Sequence, residues 1–121
     1  MTRILITWKD SYIGRCFLSH VSELPDFFVE ELDVQKDTWK SHDFSQYDVI
    51  FHVAAIVHLS NPSSEMASVY QRVNTQLPFE LAQKAKKEGV SQFIFMSSMS
   101  VYGEIKGPGV ITRDTIPAPQ S

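Results

Sequence analysis

Residues 3–14 constrain the chain more than any other stretch. Ile4-Leu5-Ile6 is a short unbroken apolar run, the mark of a strand buried on both faces. Thr7 ends it. Ser11-Tyr12-Ile13-Gly14 then opens a helix whose apolar positions, Ile13, Phe17, Val21 and Leu24, are expected to face the core. Pro25 closes that helix, because proline disfavours helical backbone in the residue before it. Only Trp8-Lys9-Asp10 separates strand from helix. A strand, a tight turn and a helix in this order aim backbone N–H groups and the positive end of the helix dipole at one spot, a ready site for an anion.

The remaining chain keeps alternating strand and helix signals. Residues 27–34 read as a second strand. Residues 35–48 are polar and only fourteen long. A complete doubly wound sheet places a helix, a strand and another helix there; fourteen residues cannot hold them, so a reduced sheet is expected. Residues 49–55 form the clearest buried strand. Asn61-Pro62 is a strong helix start, an N-cap followed by proline at the first helical position. Met66, Tyr70, Val73, Leu77, Leu81 and Ala85 then recur at helical intervals, and Gly89 supplies the stop. Pro78 is expected to bend or split this helix just before itself. Residues 93–96 are the next buried strand. The whole reads as α/β, one partial domain over residues 1–121 built on a reduced, doubly wound parallel sheet.

Composition removes several classes. The net charge is −3, which gives no basic surface for nucleic acid. Cys16 is the single cysteine, so a disulfide framework is excluded and a reducing, cytoplasmic setting is expected. No apolar run approaches the length of a membrane span. His52 and His58 have no carboxylate or cysteine at matching spacing, so a satisfied core histidine is expected rather than a metal ligand. A receiver-like signalling domain would need an aspartate where Thr7 and Ala54-Ala55 stand.

The segment Thr7-Trp8-Lys9-Asp10-Ser11-Tyr12-Ile13-Gly14 resembles the Thr-Gly-x-x-Gly-x-x-Gly turn of the extended short-chain dehydrogenase/reductase family, which includes nucleotide-sugar epimerases and dehydratases. Trp8 stands at the first glycine and Ser11 at the second; only Gly14 is kept. A residue other than glycine forced to positive φ costs about 1–2 kcal/mol, and the indole must find room. His52-Val53-Ala54-Ala55 resembles the family's strand that ends beside the nicotinamide-side ribose. Ser97-Ser98-Met99-Ser100-Val101-Tyr102-Gly103 resembles its Ser-Ser-x-x-Val-Tyr-Gly strand end, the most specific likeness in the chain. The resemblance implies a Rossmann-like fold, NAD or NADP as cofactor and a nucleotide-sugar substrate for the full-length relative. It implies cofactor contacts at Thr7, Ser11, Tyr12, Ile13, Gly14, Ala54, Ala55 and Asn74, and Ser98 as the catalytic hydroxyl. Asp33 lies nineteen residues after Gly14, where dinucleotide folds place the acid that holds the adenosine ribose; it also reads as a solvated strand-end aspartate. Asp43-Phe44 resembles the family's Asp-plus-apolar pair beside adenine, and reads equally as an exposed turn aspartate with a core phenylalanine.

The family's reaction needs a tyrosine and a lysine one helical turn apart. Tyr102 and Lys106 have that spacing, but Gly103 and Gly107-Pro108-Gly109 make the segment a loop, where residues four apart do not share a face. By resemblance the chain stops before the true Tyr-x-x-x-Lys helix. It is therefore expected to be the N-terminal portion of such an enzyme, inactive alone, with an uncovered sheet that drives self-association. The alternative is a non-catalytic nucleotide-binding or oligomerisation module with a degraded glycine turn.

Overall fold

The computed structural model describes residues 1–53, 68–69, 71–97, 102 and 109–118. Its centre is a parallel sheet of four strands, β1 (Thr2–Thr7), β2 (Phe27–Leu32), β3 (Val49–His52) and β4 (Gln92–Phe95). Their order across the sheet is β2-β1-β3-β4. Thr7 pairs with Leu32 on one side and His52 on the other, and His52 pairs with Phe95. Strands predicted from apolar runs thus lie side by side and co-directional. Chain order reverses at β1, so the crevice between the C-terminal ends of β1 and β3 is the topological switch point where open α/β sheets bind ligands.

Alternation along the strands sorts the core into two layers. Leu5 and Ile50 face one way and pack with Leu77, Leu81 and Ala85 of helix α2 (Leu77–Lys87), together with Val34, Trp39, Phe44 and Tyr47. Ile4, Ile6 and Phe51 face the other way, against Phe17 and Leu18 of helix α1 (Tyr12–Val21). Phe17 meets Phe51 edge-on at 4.9 Å. Helices on both faces make the sheet doubly wound.

The expected shortage of chain between the second and third strands is real. Residues 33–48 hold only a 3₁₀ turn, Asp37–Ser41, which drops Trp39 into the core. Among the described residues β2 is therefore an edge strand, as is β4. The long helix expected from residue 61 to 89 is described only in its later part; Asn61, Pro62, Met66 and Tyr70 lie outside the described residues. A π-helical turn, Arg72–Gln76, precedes α2, and Pro78 falls in the first turn of α2. Gln76 and Leu77 keep helical backbone angles, so the helix runs through Pro78 without a break, and the disturbance expected just before Pro78 takes the form of the π-turn, where the hydrogen-bond ladder is rearranged. Gly89, at φ +83°, ends α2.

Three local expectations fail. Residues 93–96, expected as a buried strand, leave Ile94, Phe95 and Met96 exposed, because among the described residues β4 has a neighbouring strand on one side only. Ile13 and Leu24 are exposed rather than core-facing. α1 stops at Val21, and Leu24 closes a turn onto the Val21 carbonyl. The buried stripe of α1 runs through Gly14, Phe17, Leu18 and Val21; the first turn faces the rim of the sheet and so escapes the core. β2 ends at Leu32, and Val34 turns inward beyond it to join the cluster around Trp39. No helix among the described residues is long and apolar enough to cross a membrane.

Candidate functional site

The site is built where β1 hands the chain to α1. Gly14 seats the helix on the sheet. A Cβ there would lie 3.2 Å from Ile6 Cγ2, 3.3 Å from Val53 Cγ2 and 2.6 Å from Ser11 Oγ. The third glycine of the pattern is kept because only glycine lets the helix come this close. Ser11 is the N-cap: its Oγ accepts the Gly14 N–H at 3.0 Å. Tyr12 and Ile13 carry the next two N–H groups, which have no acceptor within the helix and open on the rim. Their side chains are exposed.

The position read as the second glycine does not need one. Ser11 is extended, at φ −75° and ψ 150°. The left-handed residues are Trp8, at φ +120°, and Asp10, at φ +65°. Trp8 therefore carries the backbone strain expected at the first glycine, about 1–2 kcal/mol, and Asp10 carries a second share. The turn is held by bonds it makes itself. The Trp8 N–H donates to the Leu32 carbonyl at 3.1 Å. The Asp10 N–H donates to Glu31 Oε2 at 3.0 Å. Arg15 binds the Asp10 carboxylate and reaches Glu31 with its Nε at 3.6 Å. This Asp10–Arg15–Glu31 network was not legible in the sequence; it depends on β2 lying beside the turn, which no local signal announces.

The Trp8 indole is half-buried against the cluster of Leu5, Val34 and Trp39. It forms one wall of a cavity of about 700 Å³ at the C-terminal rim, whose other walls include Val34, Trp39, Val73 and the cations Lys36 and Arg72. That volume lies within the 300–1,000 Å³ range usual for small-molecule sites, as an order of magnitude.

The other sequence candidates are distributed as follows. Thr7 is fully buried, with its Oγ1 2.8 Å from His52 Nδ1. Asp33 is exposed at the end of β2, and its carboxylate accepts the Gln35 N–H at 2.9 Å. Asn74 is half-buried in the π-helical turn. Asp43 and Phe44 lie at the opposite end of the sheet, where the strands begin. Phe44 is fully buried, and its N–H donates to Glu88 at the end of α2. Its ring offers no surface to a ligand. Asp43 is exposed, and hydrogen bonds from the Ser45 hydroxyl and N–H hold its carboxyl below the usual value. Ala54, Ala55, His58, Ser98 and Lys106 lie outside the described residues.

The expectation of a satisfied core histidine is half met. His52 is fully buried between Thr7 and the rings of Phe93 and Phe95, and its Nε2 has no partner among the described residues. Burial lowers its pKa to about 4, against the smaller opposing effect of a hydrogen bond to the Thr7 backbone.

This chain belongs to the NAD dependent epimerase/dehydratase family, whose model matches residues 5–121. A relative, UDP-glucose 4-epimerase of Vibrio cholerae, is 32% identical over 101 residues, covering 82% of this chain and 31% of that enzyme. Among solved structures, UDP-glucuronic acid 4-epimerase from Bacillus cereus, in complex with UDP-glucuronic acid and NAD, superposes with a TM-score of 0.80. It is 21% identical and is matched over 99% of this chain and 47% of that one. The dTDP-glucose 4,6-dehydratase of Bacillus anthracis, in complex with NAD, superposes at 0.75 with 17% identity, over 100% and 45% of the two chains. The fold is thus the Rossmann-like fold of these enzymes, and the chain spans about a third to a half of the length of the relatives it matches.

The His52 environment sets a pH dependence. The folded state keeps His52 neutral down to about pH 4, whereas an unfolded histidine takes up its proton near 6.5. The contribution to stability is intact above pH 6.5 and is lost as pH falls towards 4, with a slope approaching about 1.4 kcal/mol per pH unit. Urea unfolding of the parent and His52→Phe between pH 7 and 4.5 checks this: the variant should show the shallower fall.

Proposed function

We propose that these residues are the N-terminal, nucleotide-holding portion of a nucleotide-sugar epimerase or dehydratase-type oxidoreductase, and that they bind NAD or NADP at the C-terminal rim of the sheet. The observation that carries this reading is the seat of Gly14 against Ile6 and Val53, which brings the start of α1 to the switch point. The residues present fit a dinucleotide there. The N–H groups of Tyr12 and Ile13 would face its pyrophosphate, and Asp33 would hold the adenosine ribose. Family likeness puts Ala54 and Ala55 where a cofactor lies close to backbone, and Asn74 as a brace of the active site. The nicotinamide cofactor, when bound, supplies the redox chemistry. This chain's part is to bind and orient, with the Ser98 hydroxyl hydrogen-bonding the sugar oxygen that changes redox state. The relatives' names supply the substrate class, a sugar carried on a nucleotide such as UDP. The single cysteine supports a cytoplasmic setting.

Turnover is not part of the proposal. The single Tyr-x-x-x-Lys spacing in the 121 residues is Tyr102 with Lys106, and the glycines around it do not support a helix. Calorimetry with NAD and NADP should detect binding, and an assay with NAD and UDP-glucose or UDP-glucuronic acid should detect no product. Absence of binding at millimolar cofactor contradicts the nucleotide reading; measurable turnover by these residues contradicts the reading that Tyr102 and Lys106 do not act as a proton-transferring pair.

A second property follows from β4. Among the described residues it pairs only with β3, and Ile94, Phe95 and Met96 at its end are exposed. An open edge carrying apolar side chains favours association with another chain, and we infer that this chain associates with itself. Light scattering after size exclusion should give a dimer or larger species at tens of micromolar; a monomer across that range contradicts it.

A further inference from the structure

We propose that Trp8 is a base-stacking residue: the cavity beside the turn takes a purine ring against the indole, and affinity for a nucleotide comes from that ring more than from its phosphates. The inference rests on the reading that the C-terminal rim is a nucleotide site, and it assigns the ligand group recognised there.

Three observations converge. First, the turn has spent part of its capacity for phosphate. The N–H groups of Trp8, Asp10 and Gly14 are already bonded, to Leu32, Glu31 and Ser11. The carboxylates of Asp10 and Glu31 sit beside the turn and place negative charge where a pyrophosphate would come, with Arg15 committed to both. The N–H groups of Lys9, Ser11, Tyr12 and Ile13 make no hydrogen bond among the described residues. Second, the indole has not been expelled to solvent. It is half-buried against Val34 and Trp39 and forms a wall of the cavity of about 700 Å³. Third, the cavity pairs this aromatic wall with the cations Lys36, Lys40 and Arg72, which outnumber the carboxylates Asp37 and Glu80 on the same lining; an aromatic face beside positive charge holds nucleotides by their π-face and charge without reading sequence. A residue that looks like damage to a phosphate turn is in the right place to become a stacking platform.

Calorimetric titration of the whole chain with adenosine, AMP and NAD tests this, with Trp8→Phe, Trp8→Ala and Trp8→Gly alongside. In the parent protein adenosine and AMP should bind within about threefold of NAD, since phosphates and nicotinamide add little. Trp8→Phe should keep that affinity, and Trp8→Ala and Trp8→Gly should each lose about tenfold for all three ligands, the usual effect of removing one stacking partner. NAD binding a hundredfold more tightly than adenosine, or more tightly to Trp8→Gly than to the parent, overturns the proposal while leaving the nucleotide site standing. Failure of every ligand to bind the parent and all three variants overturns both. The comparison of adenosine with NAD on the parent needs no variant to fold.

Discussion

The contact between Gly14 and the C-terminal ends of β1 and β3 governs the rest of this structure. A methyl group in place of hydrogen would press on Ile6, Val53 and the Ser11 hydroxyl at once. The missing Cβ therefore sets how close α1 comes to the sheet, where its first turn ends up, and which N–H groups face the rim. Ser11 completes the seat by taking the Gly14 N–H. Everything read as a nucleotide site follows from this local approach of helix to strand.

Trp8 is where local preference and fold disagree. A left-handed backbone suits glycine, and a tryptophan there is strained. The strain is offset by the packing of the indole on the Val34–Trp39 side of the core and by the bonds that tie the turn to β2. Such conflicts between levels concentrate at functional sites. Here the residue that breaks the turn's rule also shapes the cavity beside it.

Much of the fold was legible because its two central strands, β1 and β3, are buried on both faces. Ile4-Leu5-Ile6 and Val49-Ile50-Phe51 needed no partner to be recognised, and simple counting showed that residues 35–48 could not hold a helix, a strand and another helix. The site was less legible. Ile13 looked like core because helical spacing says nothing about which turn overhangs the rim. Phe44 sits in a polar stretch that fits a ligand pair or a core plug equally well; its burial is decided by the end of α2, more than forty residues away. The half-satisfied His52 depends on the register that sets it opposite Thr7. Register and tertiary neighbours are long-range facts, and a local pattern does not contain them.

The most direct measurement is the ¹H–¹⁵N correlation spectrum of the protein titrated with NAD. The account predicts shifts gathered at Trp8, Tyr12, Ile13 and Gly14 and at Val34 and Lys36, with Phe44, Tyr47 and Asp48 at the other end of the sheet unmoved. Shifts centred on that other end, with the β1–α1 turn silent, would contradict it.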